Sequence, residues 1–69
     1  GPYFRLDRLD GAPDPAMTAR YKGPLLVVPL DGNLAVNGVT VKPGQCALAD
    51  NLAAVSFAAD GLSLVAQPL

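Results

Sequence analysis

Turn-forming residues interrupt this chain so often that no long element fits between them. Breaks fall at Gly11-Ala12-Pro13-Asp14-Pro15, Lys22-Gly23-Pro24, Asp31-Gly32, Asn37-Gly38, Pro43-Gly44, Asp50-Asn51 and Asp60-Gly61. What lies between them is short, apolar and rich in Val and Leu, the composition of β-strands rather than helices. Asn37-Gly38 is the strongest local signal, because both residues accept the positive φ that a two-residue type I′ hairpin requires. Val36 and Val39 flank it as the strand ends.

The strands can be placed from this punctuation. Tyr3 to Leu9 alternates, with Phe4 and Leu6 on one face and Arg5 and Asp7 on the other, as in a half-buried strand. Ala16 to Tyr21 reads as a second strand after a proline-rich loop. Leu25 to Val28 does not alternate, so both of its faces are expected to be buried. Pro29 cannot donate to a ladder and marks an edge or a bulge. Leu34 to Val36, Val39 to Lys42, Gln45 to Ala49, Ala53 to Ala58 and Leu62 to Ala66 complete the set. The Ala-rich stretch from Asn51 invites a helix, but Val55, Ser56 and Phe57 favour a strand. The fold class is therefore all-β: one small antiparallel domain spanning 1–69, with seven to eight short strands in a barrel or sandwich.

Composition limits what holds such a domain together. A chain of 69 residues buries only roughly 60% of its unfolded surface. The single cysteine, Cys46, rules out an internal disulfide, and with no histidine a structural zinc site is not expected. Hydrophobic residues make up 51% and charged residues 16%, against about 25% charged in an ordinary soluble domain. A small domain should carry more charge, not less, so some apolar surface is expected to lie against a partner. The net charge of −1 offers no footprint for nucleic acid or an anionic membrane. No apolar run approaches a membrane span and no signal-peptide pattern is evident. A cytoplasmic protein is expected, as an unpaired cysteine also suggests. The opening Gly1-Pro2 lacks methionine and carries no fold argument.

From Pro24 onward the chain resembles the cupin superfamily, and more closely the C-terminal β-domain of type I mannose-6-phosphate isomerases. The resemblance rests on an opening Tyr3-Phe4 strand, Pro24-Leu25-Leu26-Val27-Val28, the Asp31-Gly32 turn and the Asn37-Gly38 hairpin. It continues through Val41-Lys42-Pro43-Gly44-Gln45-Cys46-Ala47-Leu48 to a last strand at Leu62-Ser63-Leu64-Val65-Ala66. It implies a cupin-like barrel or half jelly roll. Metal-binding cupins carry a His-x-His pair, a Glu and a Gly. If Gly32 is that Gly, the Glu falls near Leu25 and the histidines near Thr18 to Tyr21. The second motif's histidine falls at Ala53 to Val55. None of these positions suits a metal. The family's reaction is a zinc-dependent conversion of mannose 6-phosphate to fructose 6-phosphate, and its ligands belong to a separate catalytic domain. The implied role here is a non-catalytic domain that packs against that catalytic domain or against another copy as a homodimer. Zinc is expected only in the parent enzyme's catalytic part. The alternative is a stand-alone, metal-free binder of a sugar or other small ligand.

No residue of the chain is expected to be catalytic. Asp31, Asp50 and Asp60 sit in turns, where Asp caps backbone. Cys46 has no histidine base beside it and is expected to be a small apolar filler rather than a reactive thiol; its face stays open, because Ala47 and Ala49 compete with Cys46 and Leu48 for the interior. Tyr3, Phe4, Tyr21 and Phe57 suit core packing better than a base-stacking platform. Arg5, Arg8, Arg20 and Lys22 hold four of the five basic residues. Strand pairing could gather them into a phosphate or sugar-phosphate patch. Asp7, Asp10 and Asp14 lie among them and favour ordinary solvated ion pairs instead.

Overall fold

A computed structural model describes residues 3–68 of the chain. Seven strands form: β1 (Phe4–Asp10), β2 (Leu25–Asp31), β3 (Leu34–Val36), β4 (Val39–Val41), β5 (Ala47–Ala49), β6 (Val55–Phe57) and β7 (Leu62–Pro68). They build two antiparallel sheets, one ordered β1-β7-β2-β5 and the other β4-β3-β6. Each sheet keeps its own edges, so the described residues form no closed barrel. The inner faces share one core of Leu9, Tyr21, Leu25, Val27, Leu34, Val36, Val41, Ala49, Leu52, Val55 and Val65. Val27 and Val65 are fully buried and sit opposite each other in the ladder.

The turns follow local chemistry. Asn37 and Gly38 take φ of 51° and 82°, the left-handed pair that matches the twist of a two-residue hairpin. Gln45 N–H donates to the Lys42 carbonyl at 3.0 Å, closing the Pro43-Gly44 turn. Gly11 has φ of 75° and its N–H donates to the Gly61 carbonyl at 2.8 Å, tying the end of β1 to the start of β7.

Four readings of the sequence change. Ala16 to Tyr21 is not a strand: Pro15–Arg20 forms a helix, α1. Asp14 caps it by accepting from the Met17 N–H at 2.8 Å. Pro15 occupies the first turn, where a missing N–H costs no hydrogen bond. The second change is at Leu25–Val28, which does alternate, with Leu25, Val27 and Pro29 buried but Leu26 and Val28 half-exposed and Leu30 exposed. Pro29 sits just before a register shift in the β2–β7 pairing, and β5 pairs only as far as Val27, so it is both at a bulge and beside a free edge. Third, the strand expected from Ala53 begins only at Val55, because Asn51 accepts from the Ala54 N–H at 2.9 Å and winds Leu52–Ala54 into a turn of 3₁₀ helix. Fourth, β5 starts at Ala47 rather than Gln45, and Cys46 is exposed instead of filling the core. Ala47 and Ala49 take the inner side of β5, which turns Cys46 and Leu48 outward.

No helix among the described residues is long and apolar enough to cross a membrane.

Candidate functional site

The strand parity of β1 is as the alternation requires, but its orientation is reversed. Phe4 and Leu6 point away from the core and are 67% and 56% exposed. Arg5 and Asp7 face inward, half-buried, beside Leu9. Its neighbour β7 repeats the reversal: Ser63 and Gln67 are buried with Val65, while Leu62, Leu64 and Ala66 lie on the outer side. Two adjacent strands thus hold polar groups inside and apolar groups outside. Tyr3 is also exposed, so of the four aromatic residues only Tyr21 and Phe57 pack against the core.

The inward polar groups are satisfied by one another and by the backbone. Tyr21 is buried, and its hydroxyl donates to the Asp7 carboxylate at 2.7 Å, with the Val65 carbonyl 3.3 Å away. The Arg5 guanidinium stacks 5.5 Å from the centroid of the Tyr21 ring and donates to the Arg20 carbonyl. Gln67 Nε2 donates to the carbonyls of Lys22 and Pro24, pinning the loop that follows α1. No buried side-chain polar atom among the described residues is left without a partner. Burial pushes the Tyr21 phenol well above its ordinary pKa, and the hydrogen bond and negative charge of Asp7 push the same way; Arg5 and Arg20 pull it back only partly. At ordinary pH the phenol stays protonated and serves as a hydrogen-bond donor to Asp7. The cluster ties β1 and β7 to the end of α1 and the loop after it.

The basic residues are divided by the same parity. Arg5 lies on the inner side, with its guanidinium against Tyr21 and the end of α1. Arg8 lies on the outer side, 3.8 Å from the Asp10 carboxylate in an exposed pair. Arg20 and Lys22 are exposed at and just beyond the helix end, and their carbonyls are already used by Arg5 and Gln67. Arg5, Arg20 and Lys22 therefore share one region, and Arg8 faces away across the sheet.

The outer face of the four-stranded sheet is the feature the sequence did not localise. The pairing registers align Leu6, Ala66, Leu26 and Leu48 in one row across all four strands, and Arg8, Leu64 and Val28 in the next. Phe4 and Pro68 begin a row on one side of these. Asp10, Leu62 and Asp31 form the row on the other. Leu48 is 77% exposed. Among the described residues, the charges on this face are Arg8, Asp10 and Asp31, toward one end, where Arg8 and Asp10 pair with each other. The three-stranded sheet shows the opposite: its outer row is Ala35, Thr40 and Ser56, an ordinary solvated surface. The sequence signal was present in Leu62, Leu64 and Ala66, apolar residues at the parity opposite to Val65.

Neither a pocket nor a group of three or more His, Cys, Asp or Glu side chains placed to hold a metal occurs among the described residues. Comparison with protein-family models, curated proteins and solved structures finds no match to this chain.

Proposed function

We propose that this chain is a non-catalytic β-module that works by docking, laying the outer face of its four-stranded sheet against another protein surface. The resemblance of the sequence supplies the context: the C-terminal cupin-like domain of a mannose-6-phosphate isomerase, resting on the catalytic domain or on another copy. One observation carries the docking reading. Phe4, Leu6, Leu26, Val28, Leu48 and Leu64 share an outward face, while polar Arg5, Asp7, Ser63 and Gln67 are turned in. Fully burying a Leu or Phe contributes roughly 1.5–3 kcal/mol. A sheet that turns such residues outward on two neighbouring strands forgoes that gain unless a partner covers them. The alternative, a small-ligand binder, has less support, because a sugar needs a concave site with converging polar groups, and the polar groups that converge here are engaged with one another.

The test is the binding of an apolar dye, 8-anilinonaphthalene-1-sulfonate, to dilute protein. Leu26→Glu and Leu64→Glu are expected to reduce its fluorescence several-fold, and Thr40→Glu on the other sheet to leave it unchanged. Equal dye binding by all four proteins would remove the docking face. For the parent enzyme, the reading frame upstream of Gly1 is expected to encode a zinc-binding catalytic domain. An isomerase rate from the 69-residue chain with added zinc would overturn the non-catalytic assignment.

A further inference from the structure

We infer that the partner of this face is a second copy of the same chain, related by a twofold axis that lies between the two sheets and runs along the strands. The inference rests on the docking reading above and fixes its occupant. Charge is the first argument. Apart from the end of the sheet that carries Arg8, Asp10 and Asp31, the face is neutral and apolar, so the surface that matches it is equally neutral and apolar, as its own copy is.

The row pattern then selects the axis. A twofold along the strands keeps every row at its own level and reverses its order. The row Leu6, Ala66, Leu26, Leu48 lies over itself reversed, so Leu6 of one copy meets Leu48 of the other and Ala66 meets Leu26. On this face the most exposed apolar side chains sit on the two edge strands, Phe4 and Leu6 on β1 and Leu48 on β5. This axis brings each edge onto the other. It also places Arg8 and Asp10 of each copy over the corner left open where β5 stops pairing at Ala47, so the ion pair stays in solvent at the rim. A twofold across the strands would instead set Leu6 over Leu6 and press the charged end onto Phe4 of the other copy.

Area sets the strength. Three strands of seven residues and one of three, about 4.8 Å apart and about 3.3 Å per residue, present a face of roughly 380 Å². Two copies together cover about 760 Å² in projection, below the roughly 1,200 Å² at which standard stable interfaces begin. The association is therefore weak and concentration-dependent.

Analytical ultracentrifugation of the 69-residue chain, from about 1 to about 300 µM, tests this. The expected result is a weight-average mass rising from the monomer's 7.1 kDa toward twice that value. Leu6→Lys and Leu48→Glu should each abolish the rise while leaving the circular dichroism spectrum and thermal midpoint unchanged, since both side chains are exposed. The double variant Leu6→Lys, Leu48→Glu should recover association in a salt-sensitive form, because each new charge faces its opposite on the other copy. A monomer throughout the range overturns the second copy; dye binding that still depends on Leu26 and Leu64 would then leave the docking reading standing with a different partner. Association unaffected by the single variants overturns the face, and a double variant that stays monomeric at low salt overturns the axis.

Discussion

Replacing Tyr21 with phenylalanine removes one oxygen atom and tests the polar cluster that ties β1 and β7 to the end of α1. The Tyr21 hydroxyl is buried and donates to the Asp7 carboxylate at 2.7 Å. A hydrogen bond to a charged acceptor contributes about 1.5–3 kcal/mol. Relief from burying the hydroxyl offsets part of that loss, so Tyr21→Phe should destabilise by about 1–2 kcal/mol at pH 7. That is a large share of the roughly 3–10 kcal/mol expected for a domain of this size. The pH dependence is the sharper readout. The folded phenol has its pKa raised above the ordinary value of 10.0, first by burial and then by Asp7. The fold thus holds the proton more tightly than the unfolded chain does. The contribution is fully present below about pH 10 and is lost as pH rises toward the folded value, by about 1.4 kcal/mol at pH 11. Tyr21→Phe lacks that loss. The two proteins otherwise have the same sequence, so the difference between them isolates the Tyr21 hydroxyl. Urea denaturation at pH 7, 9, 10 and 11 should therefore show two stability curves that converge above pH 10. A gap that stays constant to pH 11, or a variant as stable as the parent at pH 7, would refute the account of the cluster.

Four further outcomes follow from local geometry. Gly38→Ala should cost about 1–2 kcal/mol through left-handed strain alone, since no atom lies near its Cβ position. Gly11→Ala should cost more, because its Cβ would sit 2.6 Å from the Ala59 carbonyl oxygen; paired chemical denaturation curves give the order. Asp14→Ala should lose about 0.5–2 kcal/mol with the helix cap, read from the same curves and from local amide exchange over α1. Cys46 is exposed, so at low concentration Ellman's reagent should modify it in the folded protein at a rate within a few-fold of the rate in denaturant; strong protection would return it to the core.

What could be read from the sequence was local. The Asn37-Gly38 hairpin, the Pro43-Gly44 turn and the alternation of β1 depend on neighbouring residues, and all three are present. The sign of the alternation was not local. Phe4 and Leu6 face outward because β1 pairs with β7 at the far end of the chain and because Tyr21 places its hydroxyl over Asp7. Periodicity defines which residues share a face and leaves open which face is inside. The helix at Pro15–Arg20 was masked by its own start signal, since Asp14-Pro15 serves a loop and a helix N-terminus equally well. Composition indicated surplus apolar surface, and only the strand register located it on one sheet. The four basic residues were separated by the same register, because Arg5 and Arg8 differ in parity on one strand.

The central claim is that the outer face of the four-stranded sheet is covered in solution. Methyl NMR with a soluble paramagnetic probe measures this directly at a few hundred micromolar, the top of the sedimentation range. The methyl groups of Leu6 and Leu48, 56% and 77% exposed in a single copy, should be shielded relative to Val39, which is 67% exposed at the hairpin on the other sheet, and the shielding should disappear on dilution. Relaxation of the Leu6 and Leu48 methyls as strong as that of Val39 at every concentration would contradict the account.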